Sequence, residues 1–284
     1  MASMREIKRR KESIQNTSQI TAAMKVVSTA KLQKAKGRVE ASKPYFHYMY
    51  DAVTSILAKS DNVNHPYLQA NGSKKKAVIV VSSNRGLAGG YNNNVVKLLT
   101  QGEFSKEDVL VYAVGRKGRD TLKRNGYEIR ADYSEVMNEP LFSDAATIGR
   151  DVLEAYANGE VGEIYIAYTV FKNTITQLPT LMQLLPVAIK AEEKDENDLV
   201  MMNYEPEAEE ALNEIIPKYV NSLVYGALCE ALASENGARM QAMDSASNNA
   251  EEMIADLSLK YNRARQASIT QELTEIVAGA SAIE

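Results

Sequence analysis

The chain has no tryptophan, one cysteine and two histidines among its 284 residues. A single thiol, Cys229, has no partner for an internal disulfide, which fits a reducing compartment. His47 and His65 stand far apart with no Cys/His cluster near either, so no zinc or other metal site is expected. Long apolar runs are missing as well. The longest, such as "AVIVV" at 77–81, fall far short of the roughly 20 residues that a membrane-spanning helix needs, so the chain is not expected to cross a bilayer by itself. What remains is the composition of a soluble globular protein, 45% hydrophobic and 25% charged, long enough to bury a sizeable core.

Helix breakers are absent from both ends. Between Met1 and Lys36 there is no glycine or proline, and Ala, Lys, Arg and Gln are plentiful. Ser3 can cap the start, with Glu6 completing a capping box. Ile7, Ile14, Ile20, Met24 and Val27 recur at helical spacing, with Thr17 and Thr21 between them, so this helix needs a partner. From Lys218 to Glu284 no proline occurs, and 67 residues at about 1.5 Å each reach on the order of 100 Å. Val220, Leu223, Ala227 and Ala231 begin a stripe that Met243, Ala246, Ala250, Met253, Leu257, Tyr261 and Ala264 continue. The stripe is rich in Ala and poor in Leu, which suits two closely packed helices. Gly226, Gly237 and Gly279 each cost about 1 kcal/mol relative to Ala in such a helix, so packing must hold it.

Charge is unevenly spread. Residues 1–38 carry ten Lys/Arg against Glu6 and Glu12, a local +8, while residues 192–214 carry ten Asp/Glu against Lys194, a local −9. The two glutamates argue against a transit peptide, and no signal-peptide apolar region follows.

The centre, residues 74–204, reads as α/β. Strands are expected at 77–82, 109–114, 163–170 and 181–189, and helices near 91–101, 116–125 and 143–157. Alternation of strand and helix implies a parallel sheet with crossover helices. Pro179 and Pro186 mark the later strands as edge-like or broken. The expected domains are an N-terminal coiled-coil helix over 1–60, a Rossmann-like α/β domain over 74–204 and a C-terminal coiled-coil helix over 207–284. Two terminal helices that share a seam would set the middle domain at one end, like a head on a shaft.

The stretch "VIVVSSNRGLAGGYNNN" at 78–94 has the outline of a phosphate-binding strand, loop and helix. A P-loop needs a Lys and a Ser/Thr after its last glycine, whereas Tyr91 and Asn92 follow Gly86, Gly89 and Gly90. The dinucleotide spacing G-x-G-x-x-G is absent too. A tight turn that lets strand and helix approach closely is the better reading, with Arg85 the only candidate to meet an anion. "GRKGRDTLKRNG" at 115–126 reads as a turn with a solvated face, and "PYFHYMYDA" at 44–52 as helix packing on the α/β domain. Glu135, Glu139 and Asp144 make a poor acid/base set. No nucleophile–base constellation exists, so catalysis by this chain alone is not expected.

The C-terminal "YNRARQASITQELTEIVAGASAIE" resembles the signature of the gamma subunit of F-type ATP synthases, through Ile269, Thr270, Glu272, Glu275, Gly279 and Ala280. "IKRRKESIQNTSQITAAMKVVSTAKLQKA" resembles the family's N-terminal signature helix, "SSNRGLAGGYN" its first strand and turn, and "NYEP" its entry into the C-terminal helix. Asn84 and Ala88 depart from the family's usual residues, and the Cys-containing insertion of the chloroplast relatives is absent, so the likeness is to the bacterial type.

The resemblance implies an antiparallel coiled coil of long N- and C-terminal helices plus a central Rossmann-like α/β domain. It further implies a rotor shaft that enters a hexamer of alpha and beta subunits, with a foot that binds the epsilon subunit and sits on the membrane ring of c subunits. The expected place is the cytoplasmic face of the cell membrane, held there through the ring, with no cofactor and no nucleic acid. Met24 and Lys25 match positions facing a moving lobe of a beta subunit. Arg239, Gln266, Thr270 and Glu272 match polar positions that meet loops of the beta and alpha subunits. Tyr204 and Glu205 match the foot near the c ring. Two competing readings are a nucleotide-dependent α/β enzyme, which would bind ATP by itself, and a coiled-coil nucleic-acid binder, which would show steep salt dependence.

Overall fold

The computed structural model describes residues 4–59, 65–69, 71–187 and 208–281. In chain order the elements are α1 (Met4–Lys59), β1 (Lys76–Val81), α2 (Tyr91–Thr100), β2 (Val109–Val114), α3 (Arg116–Arg124), β3 (Glu128–Asp132), α4 (Phe142–Ala157), β4 (Glu163–Phe171), β5 (Gln177–Leu185) and α5 (Ala208–Ser281). The chain forms two compact units. One joins Met1–Ser28 to Met240–Glu284, and the other is Thr29–Arg239. Both long helices contribute to both units.

In the first unit α1 and α5 run antiparallel. Thr21 Oγ1 lies 2.7 Å from Ser247 Oγ, and Lys25 Nζ donates to Asp244 Oδ1 at 2.6 Å. The seam is smaller and more polar than the apolar stripe predicts. Ile20 and Val27 are exposed, whereas Thr21 and Ser28 are buried; on α5 Met253 is exposed, and Met243, Ser247, Ala250 and Leu257 are buried. The reason is the period. Ile7, Ile14, Thr21 and Ser28 repeat every seven residues and keep facing the partner, while Ile20 and Val27 lie one position off that line. Small and hydroxyl side chains let the helices approach and bond to each other across the seam.

The second unit is built on a five-stranded sheet of order β3-β2-β1-β4-β5. β1 pairs in parallel with β2 and β4, β2 with β3 in parallel, and β4 with β5 antiparallel. β1 and β2 are buried almost throughout, which is why their apolar runs are unbroken. One face of the sheet packs on α2 and α3 through Val78, Val80, Val95, Leu99, Val111 and Leu122. The other carries Ile79, Tyr112, Ile164 and Ile166 against Ile148 of α4, the Val53 end of α1 and the Leu212–Ala231 stretch of α5.

Two strands differ from expectation. β3 is too charged to read as a strand; as an edge strand it alternates exposed Glu128, Arg130 and Asp132 with half-buried Ile129 and Ala131. β5 begins four residues earlier than the apolar run "LMQLLPVAI" suggests, and tolerates Pro179 because it too is an edge. The acidic stretch 192–198 lies outside the described residues. Pro44 and Pro217 lie inside α1 and α5.

One buried charge is poorly served. Glu230 Oε2 on α5 is buried with no hydrogen-bond partner. Burial pushes this carboxyl above the usual range, although Lys43 and the Phe171 N–H act in the opposite direction. A carboxyl with a raised folded-state pKa stabilises the fold at low pH and loses that contribution as pH rises through the folded value. Glu230→Gln is therefore expected to raise stability at neutral pH by about 1 kcal/mol. Urea unfolding midpoints taken across the acid range would show this gain shrinking as pH falls.

Candidate functional site

In an open parallel sheet, ligands bind beyond the carboxyl ends of the strands where the strand order reverses. Here that point lies between β1 and β4, and the loop 82–90 after β1 borders it. The N-terminus of α3, which contacts this loop, is a ready-made anion site. Its donors already meet the chain's own oxygens. Arg116 N–H donates to Asn84 Oδ1 at 3.1 Å, Lys117 N–H to the Ser83 carbonyl at 3.0 Å, and Gly118 N–H to Ser82 Oγ at 2.8 Å. Gly115 makes this approach possible. It has φ 111°, and a Cβ there would lie 2.1 Å from the Ser82 carbonyl oxygen. Gly115 and Gly118 thus serve close packing of α3 on the end of β1.

Helix α5 covers the same region. Tyr91 Oη donates to the Ala231 carbonyl at 3.2 Å, and Ser234 Oγ donates to the Thr169 carbonyl at 3.0 Å. Gly237 faces Phe171, whose Cε2 would lie 3.3 Å from an added Cβ. Arg239, 8% exposed, bonds Glu235 Oε1 at 2.7 Å through Nη1, and its Nη2 lies 3.4 Å from the carbonyls of Arg85 and Gly86. Helix α5 thus lies against the ends of β1 and β4. Among the described residues no group of three or more His, Cys, Asp or Glu could hold a metal ion, and no helix is long and apolar enough to cross a membrane.

The outward-facing chemistry lies on the long helices. On α5, Leu259, Ile269, Leu273, Ile276 and Val277 are 48–67% exposed, and on α1 Ile20, Val26 and Val27 are 56–69% exposed. Apolar side chains held in water at helical spacing are the mark of a surface that docks. Of the residues singled out from sequence, Met24 and Lys25 are half-buried beside the seam, with Lys25 paired to Asp244. Gln266, Thr270 and Glu272 are exposed, and Thr270 Oγ1 turns back to the Gln266 carbonyl at 2.9 Å. Arg239 is instead committed inside the α/β unit. Tyr204 and Glu205 lie outside the described residues. Reading the sequence missed Glu235 and Ser82. An acid four residues before Arg239 in a run of small residues was the signal for the first, and none existed for Ser82.

Two long helices that pair antiparallel and carry exposed apolar side chains, joined to a Rossmann-like sheet, make a frame with a surface suited to docking. The family model that matches, described as ATP synthase, covers residues 3–283. A gamma chain of ATP synthase from Lachnoclostridium phytofermentans is 67% identical over 100% of both chains. Another from Alkaliphilus metalliredigens is 43% identical over 99% of each, and one described as sodium ion specific, from Acetobacterium woodii, is 42% identical over 99% of this chain and 98% of that one. Among solved structures, a chain of the Euglena gracilis mitochondrial ATP synthase (OSCP/F1/c-ring, rotational state 3) matches 99% of this chain and 94% of its own. Its TM-score is 0.70 at 19% identity, a likeness of fold. The chain belongs to the ATP synthase family, among its gamma chains.

The closed crevice has a measurable consequence. Ser82→Ala removes the acceptor of the buried Gly118 N–H and is expected to cost about 1–3 kcal/mol. Gly115→Ala, which drives a methyl into the Ser82 carbonyl, should cost more. Denaturant unfolding of both variants would check the order.

Proposed function

We propose that this chain is the central rotor shaft of an F-type ATP synthase, coupling ion-driven rotation of a membrane c ring to ATP synthesis and hydrolysis in a hexamer of alpha and beta subunits. It contributes no catalytic group; the chemistry belongs to the beta subunits. The epsilon subunit and the c ring are its further partners, and through the ring the chain lies at the cytoplasmic face of the membrane. The relatives named above support this reading, and the observation that carries it is the row of exposed apolar side chains on α5 between Leu259 and Val277. Such a row needs an apolar sleeve around it.

A partner shifts between conformations only as far as it binds one better than another. An asymmetric shaft within a threefold ring presents a different face to each catalytic site. A difference of about 1.4 kcal/mol between faces changes a site's nucleotide affinity tenfold. Rotation then passes each affinity state to the next site. We assign Met24 and Lys25 to the moving lobe of a beta subunit, and Gln266, Thr270 and Glu272 to loops of the beta and alpha subunits. The last three make breakable polar contacts, suited to a surface that changes partner. Tyr204 and Glu205 are assigned to the foot near the c ring. Arg239 is set apart because its guanidinium is engaged within the chain.

Reconstitution with alpha and beta subunits tests the reading. The full chain should assemble into a complex with cooperative ATPase activity and show none alone. Removing residues 266–284 takes away Ile269, Leu273, Ile276 and Val277 of that row and should weaken coupling, and any fall in assembly yield measures what the row contributes to docking. A chain that neither assembles nor stimulates hydrolysis would sink the proposal.

A further inference from the structure

Arg239 matches the partner-facing positions of the family, yet its guanidinium points inward. It is the last residue of the α/β unit, and with Glu235 it forms a buried ion pair one helical turn apart, the side chains 10% and 11% exposed. The second arm of the fork, Nη2, lies between the carbonyls of Arg85 and Gly86. Lys31 and Arg85 also lie in the field of Glu235. Ser83 Oγ donates to the Arg85 carbonyl at 2.6 Å, so this oxygen is approached from two sides. The next residue, Leu87, has φ 62° and a side chain 64% exposed. A left-handed Leu persists only where its surroundings over-determine it, and the bonds converging on residues 85 and 86 supply that constraint.

Two other hydrogen bonds tie this part of α5 to the α/β unit, from Tyr91 Oη to the Ala231 carbonyl and from Ser234 Oγ to the Thr169 carbonyl, and much of the remaining contact is made by small residues. Ala227, Ala231, Ala233 and Gly237 present little relief that could stop a helix from turning about its own axis. Hydrogen bonds placed at the rim of the helix, about 5 Å from its axis, resist that rotation best. We propose that Glu235 and Arg239 form a torsional clamp that locks helix α5 to the loop after β1, making Arg239 a positioning residue for torque transfer. The clamp fixes the loop that presents Leu87 and joins the helix to backbone carbonyls. Torque role and clamp are separable: the first rests on the rotor reading above, the second on this chain alone.

Amide hydrogen exchange on the full-length chain tests the clamp. In Arg239→Met, residues 84–90 should exchange at least tenfold faster while β1 and β4 keep their rates, and trypsin should cut after Arg85 at a correspondingly higher rate. Unchanged loop exchange, or a uniform rise across the α/β unit, would overturn it. Should Arg239→Met fail to fold, Arg239→Lys serves: it keeps the charge beside Glu235 but lacks the second arm, and must release the loop. In the complex assembled in vesicles, Arg239→Met should at least halve the ions moved per ATP hydrolysed. A ratio equal to that of the unaltered complex overturns the torque role. If the unaltered chain does not assemble at all, the rotor reading falls and the torque role with it, while the exchange result still decides the clamp.

Discussion

Everything in the α/β unit depends on the packing of helix α5 against the sheet. Leu212, Ile216, Val220, Val224, Leu228 and Ala231 are almost wholly buried on the sheet's second face, where a doubly wound protein would ordinarily keep separate crossover helices. Further along, Ser234, Gly237 and Arg239 close over the ends of β1 and β4. One helix thus completes the core and fills the crevice in which this class of fold binds its ligands. The apolar part supplies the bulk of the stabilisation, because burial of aliphatic area is the dominant favourable term. The polar part fixes the register.

Small residues recur wherever the long helices meet something. Gly149 sits so near α5 that an added Cβ would fall 1.9 Å from Asn221 Oδ1, and Gly237 rests against Phe171. In the helix pair, Thr21 and Ser247 bond across a seam that a Leu zipper would have held wider apart. Such contacts give up buried area for proximity and directional bonding. The large apolar residues of the same helices, among them Ile20, Val27, Leu273 and Ile276, remain available to partners. That division of labour suits a subunit whose stability must not depend on the surface it offers.

Buried charge follows the same economy. Glu235 is buried but paired, and its carboxyl, raised by desolvation, is opposed by Arg239, Lys31 and Arg85. Glu230, one turn earlier, has one oxygen without a partner. The first holds Arg239, whose second arm reaches the loop after β1; the second is a cost that the apolar packing around it carries.

Sequence alone settled a good deal. The unbroken apolar runs of β1 and β2, the absence of helix breakers at both ends and the alternation between them determined the fold class, because these signals are local. The missing Lys after Gly90 ruled out a P-loop on chemistry alone. Tertiary structure decided the rest. β3 is a strand because β2 offers it an edge, though its own residues are largely charged. The line of the seam passes through Thr21 and Ser28, not Ile20 and Val27, because a heptad spaced from Ile7 faces the partner helix and a simple count of apolar residues does not. Arg239 matches a polar position of the family, and the oxygens that its guanidinium meets within this chain, on Glu235 and on Arg85 and Gly86, stand four and about 150 residues away. Local pattern reveals which residues want burial or water, but which distant oxygen a donor meets is fixed only when the chain has folded.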